Sequence, residues 1–131
     1  MPYIFRRGST LLIPSGPPND PDRLHLFIAV TDVCPDGDQL IAGISTIRGG
    51  YYDRACVIPA GPHPFIVSDS YAEYRYARRI SNTHLMRMAD KGLFAPRDDA
   101  SPALVRSVRN GVNISKHIPR SLRAYCQRVD P

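Results

Sequence analysis

The strongest constraint on the fold is a change of hydrophobic pattern near residue 80. Before this point, short apolar runs alternate with stretches rich in proline and glycine, which cannot sustain a hydrogen-bonded strand. Runs of this kind predict strands at residues 10–13, 24–31, 39–47 and 55–58, and at residues 65–78 as one bent strand or two. Gly43 within the third run indicates a bulge or a close approach of another chain segment.

After residue 80 the apolar side chains recur at helical spacing. Ser81 or Asn82 is a suitable cap for a first helix that ends at Gly92. Ser101 followed by Pro102 predicts the start of a second helix, which we expect Gly111 to end. A third helix is expected from about Pro119, with its core-facing side chains at Leu122, Tyr125, Cys126 and Val129.

These patterns predict an α+β fold. We expect a small antiparallel β-barrel, SH3-like, or a strongly curled sheet, of five to six strands, followed by two or three helices packed on it. A length of 131 residues suits a single domain, with residues 1–80 forming the barrel and residues 81–131 packed on it.

Composition excludes several classes of protein. The 43% apolar and 22% charged fractions are ordinary for a globular chain, and no apolar stretch is long enough to span a membrane. Three widely spaced cysteines and no CxxC or HxH pair argue against disulfides and a metal site. We therefore expect a cytoplasmic protein without a membrane association, metal or cofactor, whose cysteines are small buried side chains.

The positive charge is concentrated in the second half. Residues 1–65 hold five Arg against six Asp, a net charge of −1, and residues 66–131 hold twelve Lys or Arg against six acidic residues, a net charge of +6. This asymmetry indicates either a polyanionic partner or a solvated helical surface. For the helical arginines, such as Arg106, Arg109 and Arg123, we expect plain solvation.

Residues capable of chemistry are densest between positions 44 and 79. Arg48 follows the third strand, and His63 lies in a proline-rich loop, where it could carry protons or simply cap a backbone group. The following strand interleaves tyrosines with arginines, and RNA-binding grooves use such residues to stack bases and bind phosphates. These candidates for nucleic-acid contact are Arg48, Tyr71, Tyr74, Arg75 and Arg79.

The order of these elements resembles the MazF/PemK family of small-barrel toxins. Residues 8–13 resemble the first strand of that family with its leading glycine, and residues 25–31 resemble the second strand. Residues 43–46 are similar to the end of the third strand, and residues 69–78 to a later strand that begins with Asp-Ser.

The resemblance implies a metal-independent endoribonuclease of a toxin–antitoxin system. Such a protein is expected to form a homodimer and to be neutralised by an acidic antitoxin-like protein. The resemblance also implies that Thr46 bonds a phosphate oxygen, and that an arginine position of the family falls near Arg23 or His25. A second arginine position of the family, on its later strand, falls at Arg75 or Arg78. The resulting catalytic candidates are Arg23 and Arg78 as phosphate clamps, His25 or His63 as proton carrier, and Thr46 as an orienting donor.

Two other functions fit the same residues. The barrel could be a binding module for RNA or protein without catalysis. It could equally belong to an assembly protein of a mobile element, with basic helices that bind an acidic surface of a partner.

Overall fold

The computed structural model describes residues 5–131, which form six strands and three helices. The strands are β1 (Thr10–Pro14), β2 (Leu24–Ala29), β3 (Asp38–Thr46), β4 (Val57–Ile58), β5 (Ser70–Ser81) and β6 (Ala95–Arg97). The helices are α1 (Asn82–Asp90), α2 (Pro102–Ile114) and α3 (Arg120–Val129). The strands form one antiparallel sheet in the order β4-β5-β3-β2-β1-β6, curled into a half-barrel. The predicted α+β class is confirmed, although β6 follows α1 instead of preceding the helices.

The segment predicted as strand from residue 65 to 78 begins pairing only at Ser70. The preceding residues fold into a turn, in which the Ile66 amide donates to the His63 carbonyl at 2.9 Å and the Gly61 amide donates to the Ile66 carbonyl at 2.9 Å. Backbone groups committed to this turn are not available to a strand ladder. The result is one long strand, β5, and a proline-rich turn in front of it.

A large bulge interrupts the pairing of β3 with β5. Ile41 pairs with Arg78 and Gly43 with Glu73, so a step of two residues on β3 faces a step of five on β5. The three additional residues bend β5 outward and leave Arg75 and Tyr76 exposed. This irregularity confirms the bulge expected at Gly43, where a Cβ would lie 3.1 Å from the Phe27 ring.

The main core lies on the face of the sheet that α2 and α3 cover. Tyr74 of β5 is fully buried there, and its hydroxyl donates to the Val108 carbonyl of α2 at 2.6 Å. A Cβ at Gly111 would overlap that hydroxyl oxygen. The expectation that Gly111 ends the helix is therefore wrong: α2 continues to Ile114, and the glycine is needed for close packing of the helix against Tyr74.

Two helical arginines that were expected to be solvated are structural. Arg109 is 9% exposed, and its Nε lies 2.9 Å from an Asp130 carboxylate oxygen, which Arg7 also contacts at 2.9 Å. Arg123 donates through Nε to the Val112 carbonyl at 3.1 Å, satisfying a carbonyl near the end of α2. These two guanidiniums bind Asp130 and the end of α2. Part of the positive charge therefore stabilises the fold.

A smaller core lies on the opposite face of the sheet. It is built from Phe5, Leu11, Ile13, Phe27, Ala29, Ile41 and Leu85, with Leu85 supplied by α1. This cluster and α1 cover only part of that face, and the remaining part forms an open groove. None of the helices among residues 5–131 has the length and apolar character needed to cross a membrane. The cysteines are buried and unpaired, as the sequence predicts.

Candidate nucleic-acid interface

The groove on the second face has a volume of about 1230 Å³. Its walls come from the loop after β1, the strands β2, β3 and β5, the loop after β3, and the turn before β5. Of the predicted site residues it brings together Arg23, His25, Thr46, Arg48, Tyr71, Arg75 and Arg78. Residues predicted from separate segments of the chain therefore share one surface.

Strand alternation explains why these side chains meet. Leu26 of β2 pairs with Ile44 of β3, and both are buried in the main core. Their neighbours His25 and Ser45 consequently point to the opposite face, into the groove. Ser45 pairs with Tyr71 of β5, which continues the same row across the sheet.

His25 is held by a defined hydrogen-bond chain. The Ser15 hydroxyl donates to the Ile13 carbonyl at 3.0 Å, and His25 Nδ1 lies 2.8 Å from the Ser15 oxygen. When the single hydroxyl hydrogen is used on the carbonyl, Nδ1 is the donor in the second bond. In that tautomer the neutral ring presents an unprotonated Nε2.

The surroundings of His25 favour its neutral form. Burial lowers the pKa of its imidazole below 6.5, the nearby carboxylate of Glu73 opposes this shift, and the positive charges of Arg23 and Arg48 lower the pKa further. A histidine that is neutral near pH 7 can accept a proton, which is what a general base requires.

Glu73 is the acidic group at the centre of the groove, and the sequence interpretation missed it. Its carboxylate accepts a hydrogen bond from the Ser45 hydroxyl at 2.6 Å and one from Arg75 at 3.2 Å. Burial raises the pKa of the Tyr71 hydroxyl, and the charge of Glu73 raises it further. The sequence does contain a feature that indicates its place in the site. Glu73 is two residues from both Tyr71 and Arg75, and this spacing places all three side chains on one face of a strand.

Four arginines supply the positive charge of the groove. Arg23 pairs with Asp20 at 2.9 Å, and Arg75 contacts Glu73, but within residues 5–131 neither Arg48 nor Arg78 forms an ion pair. The Arg78 guanidinium lies 5.1 Å from the centroid of the Phe27 ring, which positions it over the groove floor.

The long loop after β1 brings Arg23 to the groove. A Cβ at Gly16 would overlap the carbonyl oxygen of Asp20, so only glycine allows this tight fold. The Ser15 amide donates to the Arg23 carbonyl at 2.8 Å and closes the loop. On the other side of the groove, Thr46 lies exposed at the end of β3.

Tyrosine rings form one end of the groove. The Tyr52 and Tyr71 rings are tilted against each other with centroids 5.3 Å apart, and the Arg54 guanidinium lies 4.4 Å from the Tyr52 centroid. Tyr51 is 85% exposed, and its hydroxyl lies 2.7 Å from His117 Nε2. Exposed rings beside guanidiniums are suited to stacking with nucleobases.

Three predicted residues lie outside this surface. Tyr74 is buried in the main core, so it cannot stack with a base. His63 is 3% exposed, with Nε2 donating to the Asp98 carbonyl at 2.6 Å and Nδ1 accepting from the Phe65 amide at 3.0 Å. Both ring nitrogens are thus occupied by backbone groups, which is the capping role that the sequence left open.

Arg79 is the third of these residues. Its Nε lies 2.8 Å from Asp38 and a second nitrogen 3.3 Å from Asp36, and its guanidinium lies 4.4 Å from the Tyr125 centroid. Tyr125 belongs to the main core, so Arg79 points away from the groove. Its ion pairs stabilise the turn between β2 and β3, and it is not available as part of the groove.

Across residues 5–131 there is no cluster of three or more His, Cys, Asp or Glu side chains that would suit a metal ion. A search against models of protein families finds no match for this chain, and a comparison with curated proteins also finds none.

Proposed function

We propose that the groove binds single-stranded RNA and cleaves its backbone without a metal, as an endoribonuclease-like toxin does. The observation that carries this proposal is a half-buried His25 imidazole, hydrogen-bonded through Nδ1 to Ser15 and with its pKa lowered by burial, in a groove that also holds Arg48 and Arg78 without acidic partners among the described residues. A proton acceptor beside unneutralised guanidiniums fits transfer at a phosphodiester.

Binding would combine charge with stacking. Arg48 and Arg78 contact phosphates, while Tyr71 and the exposed Tyr51 offer ring faces to bases. Such recognition suits an unpaired strand, since bases within a duplex are already stacked on each other.

Cleavage would use the ribose of the RNA as nucleophile. His25 Nε2 removes the proton of the 2′-hydroxyl, and the 2′-oxygen forms a bond to phosphorus. The bond from phosphorus to the 5′-oxygen breaks, and that oxygen takes a proton from water, leaving a 2′,3′-cyclic phosphate. Arg78 and Arg48 stabilise the charge of the phosphorane, Thr46 orients a phosphate oxygen, and Glu73 stabilises the imidazolium.

The toxin assignment adds a partner and an assembly. An acidic antitoxin-like segment would neutralise the groove by pairing with the same arginines that bind phosphates, and the active form would be a homodimer. Induced expression that stops growth, with relief by Arg78→Ala, supports this part of the proposal. Normal growth at high expression contradicts it.

The direct test is cleavage of a labelled single-stranded RNA by the purified chain in the presence of EDTA. We expect 2′,3′-cyclic phosphate ends, no cleavage of the corresponding DNA, and a loss of about 10²-fold or more in rate for His25→Asn. His84→Asn is the matched control, because His84 lies on α1 and is not part of the groove lining. Equal rates for the two variants would rule out the catalytic role of His25.

A second function, RNA binding without cleavage, is favoured by one observation. His25 is the single histidine in the groove lining, and Glu73 is already bonded to Ser45 and Arg75, so no second proton carrier stands free there. Salt-dependent RNA binding with intact RNA after prolonged incubation would establish this function instead.

A further inference from the structure

A small recess of about 100 Å³ opens beside the groove, where the loop after β3 meets β5 and the α2–α3 connection. Its lining combines three tyrosine rings and His117 with the carboxylates of Asp53 and Glu73 and the Arg75 guanidinium. The recess thus combines flat apolar walls with a few polar groups, which is typical of a site for a planar ring.

The polar wall places an acceptor directly beside a donor. The Glu73 carboxylate is bonded to Ser45 at 2.6 Å and to Arg75 at 3.2 Å, and each carboxylate oxygen retains a further lone pair. The Arg75 side chain is 63% exposed, so several of its N–H groups still face solvent. An incoming molecule would therefore meet a carboxylate and a guanidinium next to each other.

The wall is held rigidly. One Asp53 oxygen accepts from the Ala55 amide at 3.0 Å, and the other accepts from the buried Ser115 hydroxyl at 2.6 Å. These bonds fix the loop that carries Tyr51 and Tyr52 against the start of the α2–α3 connection. A site that is already formed loses less entropy when it binds a ligand.

We propose that this recess is a nucleobase subsite that selects guanine, an inference that rests on RNA as the proposed ligand of the groove. The Watson–Crick edge of guanine presents two adjacent donors, N1–H and the N2 amino group, beside the O6 acceptor. The donors match the Glu73 carboxylate, and O6 matches Arg75. Adenine, cytosine and uracil each lack a pair of adjacent donors on this edge.

The base would enter with its ring against a tyrosine. The Tyr52 ring is packed between Tyr71 and the Arg54 guanidinium, which fixes its plane. Tyr51 is 85% exposed and its hydroxyl lies 2.7 Å from His117 Nε2, so its ring is held in place and accessible to a base from the solvent side. Stacking holds any base, and the carboxylate determines which one.

The experiment measures binding without cleavage. Fluorescent RNA pentamers carrying 2′-O-methyl groups, with G, A, C or U at the centre, are titrated with the chain and followed by anisotropy. We expect the G pentamer to bind about tenfold more tightly than the others, since a bidentate base contact discriminates by about five- to 150-fold. Inosine, which lacks the N2 amino group, should lose most of this advantage on the unaltered protein.

Glu73→Gln replaces one acceptor oxygen by a donor and should bring the four affinities within about twofold of each other. Asp36→Asn removes the same charge on the other face of the sheet and should keep the preference for G. Equal affinities for all four pentamers would overturn the guanine subsite while leaving RNA binding intact. If no pentamer binds, both proposals are wrong. A preference for G without cleavage of unmodified RNA would support the guanine subsite and rule out the nuclease activity.

Discussion

The packing of α2 on the sheet depends on the absence of a side chain at Gly111. In Gly111→Ala the new Cβ would overlap the Tyr74 hydroxyl oxygen and lie 2.7 Å from Tyr74 Cζ. Tyr74 is 0% exposed, so its ring cannot swing into solvent to make room. Either the ring or the helix must move, and the hydroxyl then loses its bond to the Val108 carbonyl.

The magnitude follows from three opposing effects. Alanine is favoured over glycine inside a helix by about 1 kcal/mol. Overpacking of a dense core costs about 1–3 kcal/mol. Breaking a buried hydrogen bond adds a further cost of about 1–3 kcal/mol. We therefore expect Gly111→Ala to lower the free energy of unfolding by about 1–5 kcal/mol, although alanine is the better helix former.

Urea unfolding, followed by circular dichroism, measures this change. Asn110→Ala, at an exposed position of the same helix, should stay within about 0.5 kcal/mol of the parent. In a Tyr74→Phe background the hydroxyl is absent, and we expect the cost of Gly111→Ala to fall by about 1 kcal/mol or more. An alanine variant as stable as the parent would refute the reasoning that close approach, and not helix termination, explains this glycine.

Three further predictions concern charge. Arg78→Ala should weaken RNA binding and lower the slope of log affinity against log salt concentration by about one, while Arg79→Ala, whose guanidinium faces Asp36 and Asp38, should leave that slope unchanged. Cleavage should fall as the pH drops through a value below 6.5, because the lowered pKa of His25 keeps it neutral above that point; a rate that is flat from pH 4 to pH 8 would contradict this. Arg109→Ala should lower the free energy of unfolding by about 1.5–3 kcal/mol in a urea titration, because it removes the hydrogen bonds of a nearly buried guanidinium to Asp130, which keeps Arg7 as its remaining partner; a change below about 0.5 kcal/mol would contradict the structural role.

Much of the fold could be predicted because local pattern and tertiary structure agree. The cap at Ser101 forms, with its hydroxyl accepting from the Leu104 amide at 3.1 Å, and Pro102 stands at the first helical position. The bulge at Gly43 was also visible as a glycine within a strand run. Gly111 misled the prediction because a helix-ending glycine and a close-packing glycine look the same in sequence, and only the position of Tyr74 distinguishes them.

The groove was harder to predict than the fold. Alternation placed Tyr71 and Arg75 together, but their relation to His25 depends on the β2–β3 and β3–β5 registers, which sequence does not fix. Arg79 lies on the opposite face because the bulge in β5 changes the direction of the side chains after it, and this bulge could not be counted in advance. Tyr74 directly follows Glu73, so alternation alone places it on the opposite face from Tyr71. Glu73 was overlooked because a single carboxylate among arginines looks like an ordinary ion pair.

The central claim is that RNA binds the groove and not the helical face. A titration of the ¹⁵N-labelled chain with a single-stranded RNA, followed by amide chemical shifts, tests it most directly. We expect the largest changes in amide chemical shift at residues 23–25, 45–52 and 71–78. The amide shifts on the exposed faces of α2 and α3 should stay unchanged. Chemical-shift changes concentrated around Arg106 and Arg120 on those helices, with no change at the groove residues, would contradict RNA binding in the groove.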